Sequence, residues 1–264
     1  MRDINKEIKD SLIEIEQKFD VEILLAVESG SRAWGFASPD SDYDVRFIYL
    51  QKSEEYLRID DNKDYIDWAL DEVLDINGWD LKKALLAFGK GNPNLMEWAS
   101  SPIVYQKSAK WDSMWEVAKK YFSEKASLNH YYGTANSTYN KYLTGDKVKY
   151  KKYFYALRPL LCCRWIERYH EIPPMEFSTL LQLFDGSDKD LSGDLLTAIN
   201  SLVEKKVLTV EGELNDHIPI IDTFIKQELL LQHDISDKLE DDRIKDFADL
   251  NTCFRKQILF GGNE

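Results

Sequence analysis

Apolar residues near the beginning of the chain recur with the period of a helix. Spacings of three or four residues predict one amphipathic helix there. Its apolar face consists of Ile4, Ile8, Leu12, Ile15 and Phe19. The apolar run 21–27 then has the length of a strand. Residues 43–50 alternate between two faces, one of which begins with polar residues, and this alternation predicts a second strand.

The next part of the chain combines short strands with a helix. Residues 51–64 are rich in charge and predict a helix or a loop, whereas residues 65–76 contain two pieces of strand. A helix is then predicted to begin at Asn77 or Gly78, since apolar residues recur at helical spacing after this point.

Helices dominate the rest of the sequence. Asn92 as an N-cap, with Pro93 at the first helical position, predicts the beginning of one helix. Beyond about residue 106 the period is mostly helical. Pro159 should kink or divide the long helix predicted over residues 150–169. Further helices are predicted over residues 180–184, 195–203, 218–231 and 239–259.

The order of these elements predicts an α+β fold, with a small mixed-sheet domain over residues 1–105 and an α-helical domain over residues 106–264. The chain has 264 residues, of which 44% are hydrophobic and 31% charged, as in soluble globular proteins. No apolar stretch approaches the ~20 residues of a membrane span, and the charged first residues are unlike a signal peptide. Three cysteines match neither a disulfide framework nor a metal-ligand spacing. We therefore expect a cytoplasmic protein without a membrane partner.

Candidate chemistry is concentrated between residues 28 and 48. Asp42 and Asp44 are two residues apart at the head of the second predicted strand, so their side chains should project side by side. Adjacent carboxylates repel each other unless a cation lies between them, and Mg²⁺ prefers such oxygen ligands. Gly30 and Ser31 form a turn of small residues whose N–H groups suit a phosphate. The aspartates alone are also typical of a solvated turn, but their spacing from the Gly-Ser turn favours a site for a metal-bound nucleoside triphosphate.

Charge is distributed unevenly along the chain. The net charge of −13 argues against tight, non-specific binding to nucleic acid. Residues 130–170, however, contain eight basic and two acidic residues, which gives +6 there and −19 elsewhere. A solvated helical face is the ordinary interpretation of such a stretch. In a chain that otherwise repels phosphates, a surface for a triphosphate or a nucleic acid is the better hypothesis.

Several longer motifs narrow the interpretation. The segments concerned are 30–35 (GSRAWG), 38–46 (SPDSDYDVR), 78–81 (GWDL), 91–93 (GNP), 101–105 (SPIVY), 153–160 (YFYALRPL) and 163–166 (CRWI). The Gly-Ser turn followed by Asp-x-Asp resembles the signature of the DNA polymerase β nucleotidyltransferase superfamily. The other segments resemble the RNA-repair-associated RlaP type, and the similarity covers roughly residues 20–260.

This resemblance implies a polymerase β-like palm domain that carries three metal-binding carboxylates. Asp42 and Asp44 would be two of them, and both would be catalytic. Asp75 is the best candidate for the third, because a strand aspartate between apolar residues is the pattern that the superfamily suggests; Asp71 and Asp80 are alternatives. Asp75 would also help to deprotonate the acceptor hydroxyl. The expected cofactor is Mg²⁺, with Mn²⁺ as the alternative, and the expected substrate is a nucleoside triphosphate such as ATP.

The resemblance also implies a helical domain that closes one wall of the nucleotide cleft. The expected nucleotide contacts are Gly30, Ser31, Arg32, Arg46, Lys151, Lys152 and Arg158. Ser31 is also compatible with an ordinary turn, and Arg32 with a surface arginine or an ion pair. Arg46 could orient the aspartates instead of meeting a phosphate. Trp34 could stack on a base, although packing is the commoner use of a loop tryptophan.

These observations predict a two-metal nucleotidyltransferase that moves a nucleoside monophosphate to a hydroxyl acceptor. An RNA or DNA end is the favoured acceptor, because of the RNA-repair association and the basic stretch. Transfer to a protein or a small molecule is an alternative that fits the acidic balance of the chain. A non-catalytic nucleotide sensor is a third hypothesis, and the loss of one carboxylate would be its mark.

Overall fold

The computed structural model describes residues 3–38, 41–60, 62–71, 73–208 and 213–260. Its contacts divide the chain into two compact units. Unit 1 consists of Met1–Ala33, Asp42–Phe122 and Arg243–Glu264, and unit 2 consists of Trp34–Ser41 and Ser123–Asp242. The chain therefore leaves unit 1 after the Gly-Ser turn and returns to it at Asp42. A domain boundary at residue 105 stays a prediction.

Unit 1 contains a five-stranded mixed sheet. The strands are β1 (Glu22–Ser29), β2 (Tyr43–Leu50), β3 (Tyr65–Leu70), β4 (Leu74–Asp80) and β5 (Val104–Lys107). Their order across the sheet is β3-β4-β2-β1-β5, in which β2 and β4 run parallel and the other neighbours run antiparallel. The α+β class is thus confirmed, and all four predicted strands are present, although β4 extends beyond the predicted residue 76. The short strand β5 was not predicted from the sequence.

Helices form the rest of the regular structure. In chain order they are α1 (Ile4–Phe19), α2 (Gly30–Ala33), α3 (Leu81–Gly89), α4 (Pro93–Ala99), α5 (Trp111–Ala118), α6 (Glu124–Tyr142), α7 (Tyr150–Tyr169), α8 (Phe177–Leu180), α9 (Gly193–Leu208), α10 (Pro219–Lys238) and α11 (Ala248–Phe260). Short 3-10 turns occur at Ser53–Leu57, Lys119–Tyr121 and Leu181–Leu183. Helices α6 to α10 belong to unit 2, and the others belong to unit 1.

The core of unit 1 lies between α1 and one face of the sheet. Its buried residues are Ile8, Leu12, Ile15, Ile23, Ala26, Val45, Phe47, Tyr49, Ile66, Leu74 and Ile76. Alternate side chains of a strand point to opposite faces. Because Val45 and Phe47 face this core, Asp44 and Arg46 point to the other face of β2. In the same way Asp75, between Leu74 and Ile76, points to the other face of β4.

The helix predicted to begin at Asn77 or Gly78 is a wrong prediction. Strand β4 continues to Asp80, and α3 begins only at Leu81. Gly78 lies in register with Phe47 of the parallel neighbour, and a Cβ atom at Gly78 would overlap the Phe47 ring. The glycine therefore gives room for a core aromatic inside a strand. Asp80 is the true N-cap of α3, as its side chain accepts the Lys82 N–H at 2.8 Å.

Two further helix predictions are corrected. Pro159 does not divide the long helix, since α7 runs from Tyr150 to Tyr169 with this proline inside it, and a kink there stays a prediction. The helix predicted over residues 239–259 is shorter, because α11 begins at Ala248 and residues 239–247 have no regular structure. In contrast, the cap predicted for α4 is confirmed, as the Asn92 side chain accepts the N–H groups of Asn94 and Leu95.

The segment 34–38 is part of unit 2 and has no strand or helix. Its backbone is held by two hydrogen bonds from the helical unit. Phe177 N–H donates to the Trp34 carbonyl at 2.9 Å, and the buried Lys206 ammonium donates to the Phe36 carbonyl at 2.9 Å. The sequence predicts an irregular loop over residues 34–39, of which Pro39 lies outside the described residues. None of the helices in the described part of the chain is long and apolar enough to cross a bilayer.

His217 joins two connecting segments of unit 2. Its Nε2 atom lies 2.7 Å from the Gly145 carbonyl oxygen, and its Nδ1 atom lies 2.9 Å from an Asp222 carboxylate oxygen. Both neighbours are acceptors, so both contacts are hydrogen bonds only when the imidazole carries two protons. The Gly145 carbonyl and then Asp222 accordingly raise the pKa of His217 above its ordinary value of 6.5.

We expect His217 to stabilise unit 2 most at mildly acidic pH. The contribution is fully present below the unfolded pKa, about 6.5, and is lost as the pH rises through the raised folded pKa. Since the side chain is partly exposed, His217→Gln should cost about 1 kcal/mol near pH 6 and less near pH 9. Urea unfolding at both pH values measures this difference. The exposed His233→Gln is the control, and an equal cost of His217→Gln at both pH values would contradict the prediction.

Candidate functional site

Two parallel strands place Asp44 and Asp75 beside each other. The Cα atoms of the two residues are direct partners in the β2–β4 register, and both side chains lie on the face of the sheet opposite the α1 core. Each side chain is about one third exposed, at 34% for Asp44 and 33% for Asp75. The pairing brings two carboxylates that are 31 residues apart in sequence to one solvent-accessible point.

Arg46 lies against both carboxylates. Its Nη2 atom is 2.7 Å from Asp75 Oδ2 and 3.3 Å from Asp44 Oδ1. Its Nη1 atom donates to the backbone carbonyls of Val45 and Asp75, at 3.0 and 3.2 Å. A guanidinium that is held by two carbonyls and two carboxylates has little freedom, so Arg46 fixes the spacing of the pair and balances part of its charge.

The predicted Gly-Ser turn lies next to this pair. Gly30 begins the short helix α2 and has φ +65°, a conformation that side chains disfavour. A Cβ atom at Gly30 would overlap the Asp44 carboxylate, so only glycine lets the backbone approach so closely. Ser31 follows it and is 7% exposed. The structure thus brings Gly30, Ser31, Asp44, Asp75 and Arg46 together.

Arg32 connects the turn to the beginning of β2. Its Nε atom donates to the Asp42 carbonyl at 3.1 Å, and its guanidinium lies 3.6 Å from the centre of the Tyr43 ring. Both contacts hold the end of α2 to the beginning of β2, where the chain leaves unit 1 and returns to it. The Asp42 side chain is exposed, and no described residue forms a hydrogen bond or ion pair with its carboxylate.

The two alternative candidates for the third carboxylate have other contacts. Asp71 accepts the backbone N–H groups of Val73 and Leu74, both at 2.7 Å, and so shapes the turn before β4. Asp80 is at the far end of β4 from Asp75, roughly 17 Å away along an extended strand. Burial raises its pKa, and Tyr56 and Gln51 donate hydrogen bonds to it. Of the three candidates, only Asp75 is in register with Asp44.

Sequence reasoning missed Glu28, the buried carboxylate beneath the site. Glu28 is 0% exposed, and its Oε1 atom accepts the backbone N–H of Asp44 at 2.8 Å. The Tyr105 hydroxyl donates to its Oε2 atom at 2.5 Å, and the Ser101 hydroxyl donates to its carbonyl at 2.7 Å. Burial raises the pKa of Glu28 above its ordinary value, partly opposed by the hydrogen bonds from Tyr105 and the Asp44 N–H. The only signal in the sequence was a glutamate at the end of an apolar run.

The remaining predicted nucleotide contacts belong to unit 2 and are described within it. Arg158 is buried, at 3% exposed; its Nε atom donates to the Met175 carbonyl at 3.2 Å, and its guanidinium lies 4.7 Å from the Trp34 ring centre. These contacts pack Arg158 inside unit 2, and its contact with a nucleotide stays a prediction. Trp34 also packs against Tyr155, in agreement with the packing interpretation. Lys151 and Lys152 lie half-buried in the first turn of α7.

Three of the eight basic residues in the stretch 130–170 form ion pairs inside unit 2. Arg164 forms a two-pronged ion pair with Glu228, with both distances 2.7 Å. Arg168 pairs with Asp185, and Lys147 with Asp216, each at 2.5 Å. The net charge of +6 therefore overstates the positive charge that is available to a ligand.

The carboxylates on the sheet are the kind of ligand that a hard divalent cation prefers. Asp44 and Asp75 offer only oxygen atoms, on one face and beside a turn that approaches them closely. Among the described residues, however, no three acidic, histidine or cysteine side chains are gathered as a metal site. Asp42 is the exposed carboxylate that would complete the set, and Arg46 holds the other two.

Comparisons with known proteins agree with the motifs. The model of the family described as "RlaP: RNA repair pathway DNA polymerase beta family" matches residues 4–256. The "Uncharacterized protein YcgL" of Bacillus subtilis (strain 168) is 43% identical over 227 residues, which cover 86% of this chain and 85% of that protein. A solved nucleotidyltransferase-like protein from Exiguobacterium sibiricum 255-15 aligns over 97% of this chain and 88% of its own, at 10% identity. Its TM-score of 0.29 is too low to support a conclusion.

Proposed function

Because the chain belongs to the RNA repair pathway DNA polymerase beta family, we propose that it is a metal-dependent nucleotidyltransferase. It would move a nucleoside monophosphate from a nucleoside triphosphate, such as ATP, to a hydroxyl group at an RNA or DNA end. The observation that carries this proposal is the register pair of Asp44 and Asp75 on one face of the sheet, with the Gly30 backbone against it. All three cysteines are buried thiols that form no disulfide bond, and this supports the cytoplasm as the proposed location.

The reaction needs an acceptor oxygen in line with the α-phosphorus atom. Asp42, Asp44 and Asp75 would hold Mg²⁺, or Mn²⁺, which when bound supplies positive charge to the triphosphate and lowers the pKa of the acceptor hydroxyl. Asp75 would assist in removing the hydroxyl proton. The new bond joins the acceptor oxygen to the α-phosphorus atom, and the bond to the β-phosphate oxygen breaks, so that pyrophosphate leaves.

The other residues would bind and orient the substrate. The backbone N–H groups around Gly30 and Ser31 and the Ser31 hydroxyl would contact the triphosphate. Arg46 would hold the carboxylates of Asp44 and Asp75 beside each other, since it already contacts both. Arg32 is held by Tyr43 and Asp42, so we propose that it shapes the turn as well as attracting phosphate. From unit 2, Lys151, Lys152 and Arg158 remain proposed phosphate contacts.

A nucleotide sensor without transfer activity is the second candidate. The position of Arg46 favours it, because a guanidinium between two carboxylates supplies the positive charge that a metal ion would otherwise supply. A sensor would bind a nucleoside triphosphate with little dependence on Mg²⁺.

The experiment is incubation of the protein with Mg²⁺ or Mn²⁺ and each α-labelled nucleoside triphosphate. The acceptors are single-stranded RNA, nicked RNA, single-stranded DNA and total cell extract, and the control is the Asp42→Ala/Asp44→Ala variant. We expect metal-dependent label on a nucleic-acid end that is absent with the variant. Label on a protein or a small molecule would reject the proposed acceptor but keep the reaction. Nucleotide binding without label anywhere would reject the transferase and support the sensor.

A further inference from the structure

Three lysines of unit 2 act on one exposed tyrosine, and two of them lie against its ring. The lysine surface, as we call it, consists of Lys141, Lys149 and Lys152 around Tyr142, at the end of α6 and the beginning of α7. Tyr142 is 39% exposed. The ammonium groups of Lys141 and Lys152 lie 5.0 and 4.2 Å from its centre. All three lysines lower the pKa of the Tyr142 hydroxyl, first through its hydrogen bond with Lys141.

The lysine surface differs from the rest of the basic stretch in its partners. Lys147, Arg164 and Arg168 form ion pairs with acidic residues of unit 2. Lys141, Lys149 and Lys152, by contrast, form no ion pair with any described residue. The positive charge that remains available in the stretch is therefore concentrated around Tyr142.

This concentration is unfavourable for the folded protein alone. Lys149 is the N-cap of α7, and the first turn of α7 contains Lys151 and Lys152 but no acidic residue. The N-terminus of a helix carries partial positive charge, so lysines there are repelled by the helix as well as by each other. A negatively charged ligand would relieve both repulsions. Binding of such a ligand would therefore explain why the lysines are placed together.

We propose that the lysine surface binds a single-stranded nucleic acid, with the lysines on successive phosphates and the Tyr142 ring against a base. Cations that follow a backbone around an exposed aromatic ring are the general means of binding single strands. An exposed surface suits a nucleic-acid strand, which makes several weak phosphate contacts. A free nucleotide instead needs a pocket that buries most of it. The proposal rests on the proposed transfer reaction only in that the bound strand would be the acceptor.

The test measures binding alone, without metal or nucleoside triphosphate. The fluorescence anisotropy of a labelled single-stranded RNA of about 16 nucleotides would be followed between about 50 and 200 mM KCl. For the Lys141→Gln/Lys149→Gln/Lys152→Gln variant, we expect the slope of log K against log salt to fall in magnitude by about 2. Tyr142→Leu should weaken binding by about fivefold or more, whereas Tyr142→Phe should bind as the natural protein does.

A matched control carries three exposed lysines of unit 2 outside the surface, as Lys189→Gln/Lys226→Gln/Lys238→Gln. It makes the same change in net charge and should keep the salt slope. The proposal is overturned if the natural protein does not bind the strand, or if both triple variants lose the same slope. Affinity that is independent of strand length and abolished by ATP would also overturn it, in favour of a nucleotide site. Strand binding without any transfer would reject the proposed function and keep this inference.

Discussion

Replacing Asp44 with asparagine should lower the rate of nucleotide transfer by about 1,000-fold or more without unfolding the protein. Asparagine has the shape of aspartate but lacks the charge that would hold a divalent cation beside Asp75. The side chain is one third exposed and asparagine has the same shape, so the fold should tolerate the change. Arg46 would keep its shorter ion pair, with Asp75.

The measurement is the single-turnover rate of label transfer at saturating Mg²⁺, together with the urea midpoint of each variant. Asp75→Asn should lose activity to a similar extent, since it is the register partner of Asp44. Asp67→Asn is the control, because Asp67 is an exposed carboxylate on the neighbouring strand β3 and lies in register with Asn77. If Asp44→Asn transferred label at a near-normal rate, and Asp67→Asn did so at the natural rate, the two-metal mechanism would be rejected.

The strands that carry the site could be predicted because local pattern and burial agree in them. Strand β2 has the predicted bounds, since one of its faces is apolar from Val45 onward. The position of Asp75 followed from a resemblance, and the parallel register then placed it beside Asp44. The predicted strand ends at residue 76, too early for β4. The second half of β4, with Gly78 and Trp79, has the spacing of a helix as well as that of a strand. Only the Phe47 ring, from the neighbouring strand, explains the glycine.

What the sequence could not predict depends on partners that are distant along the chain. A count of charges cannot tell a neutralised lysine or arginine from an available one. Arg164 and Glu228 are 64 residues apart, and their ion pair removes charge from the predicted basic surface. In the same way, the Asp-rich motif shows two carboxylates, but the guanidinium that holds Asp44 and Asp75 becomes visible only when β2 and β4 pair.

Glu28→Ala should destabilise the protein by about 3 kcal/mol, the second largest effect that we expect. The change would leave the Asp44 N–H and the Tyr105 hydroxyl without their acceptor in a buried place, and it would also open a cavity. Tyr105 is 77 residues from Glu28, so the loss would also loosen β5 at the sheet edge. Urea unfolding measures the effect, and a cost below about 1 kcal/mol would contradict it.

Glu28→Gln separates the shape of this side chain from its charge. Glutamine fills the same volume and keeps one oxygen for the Asp44 N–H, so the fold should survive. Because burial raises the pKa of Glu28 above 4.5, the ionised carboxylate costs stability, and this cost appears as the pH rises through the folded pKa. The stability of Glu28→Gln relative to the natural protein should therefore increase from about pH 4 to pH 8. A relative stability that falls over this range would mean that the charge of Glu28 is itself stabilised, with Arg32 as a positive charge that acts on it.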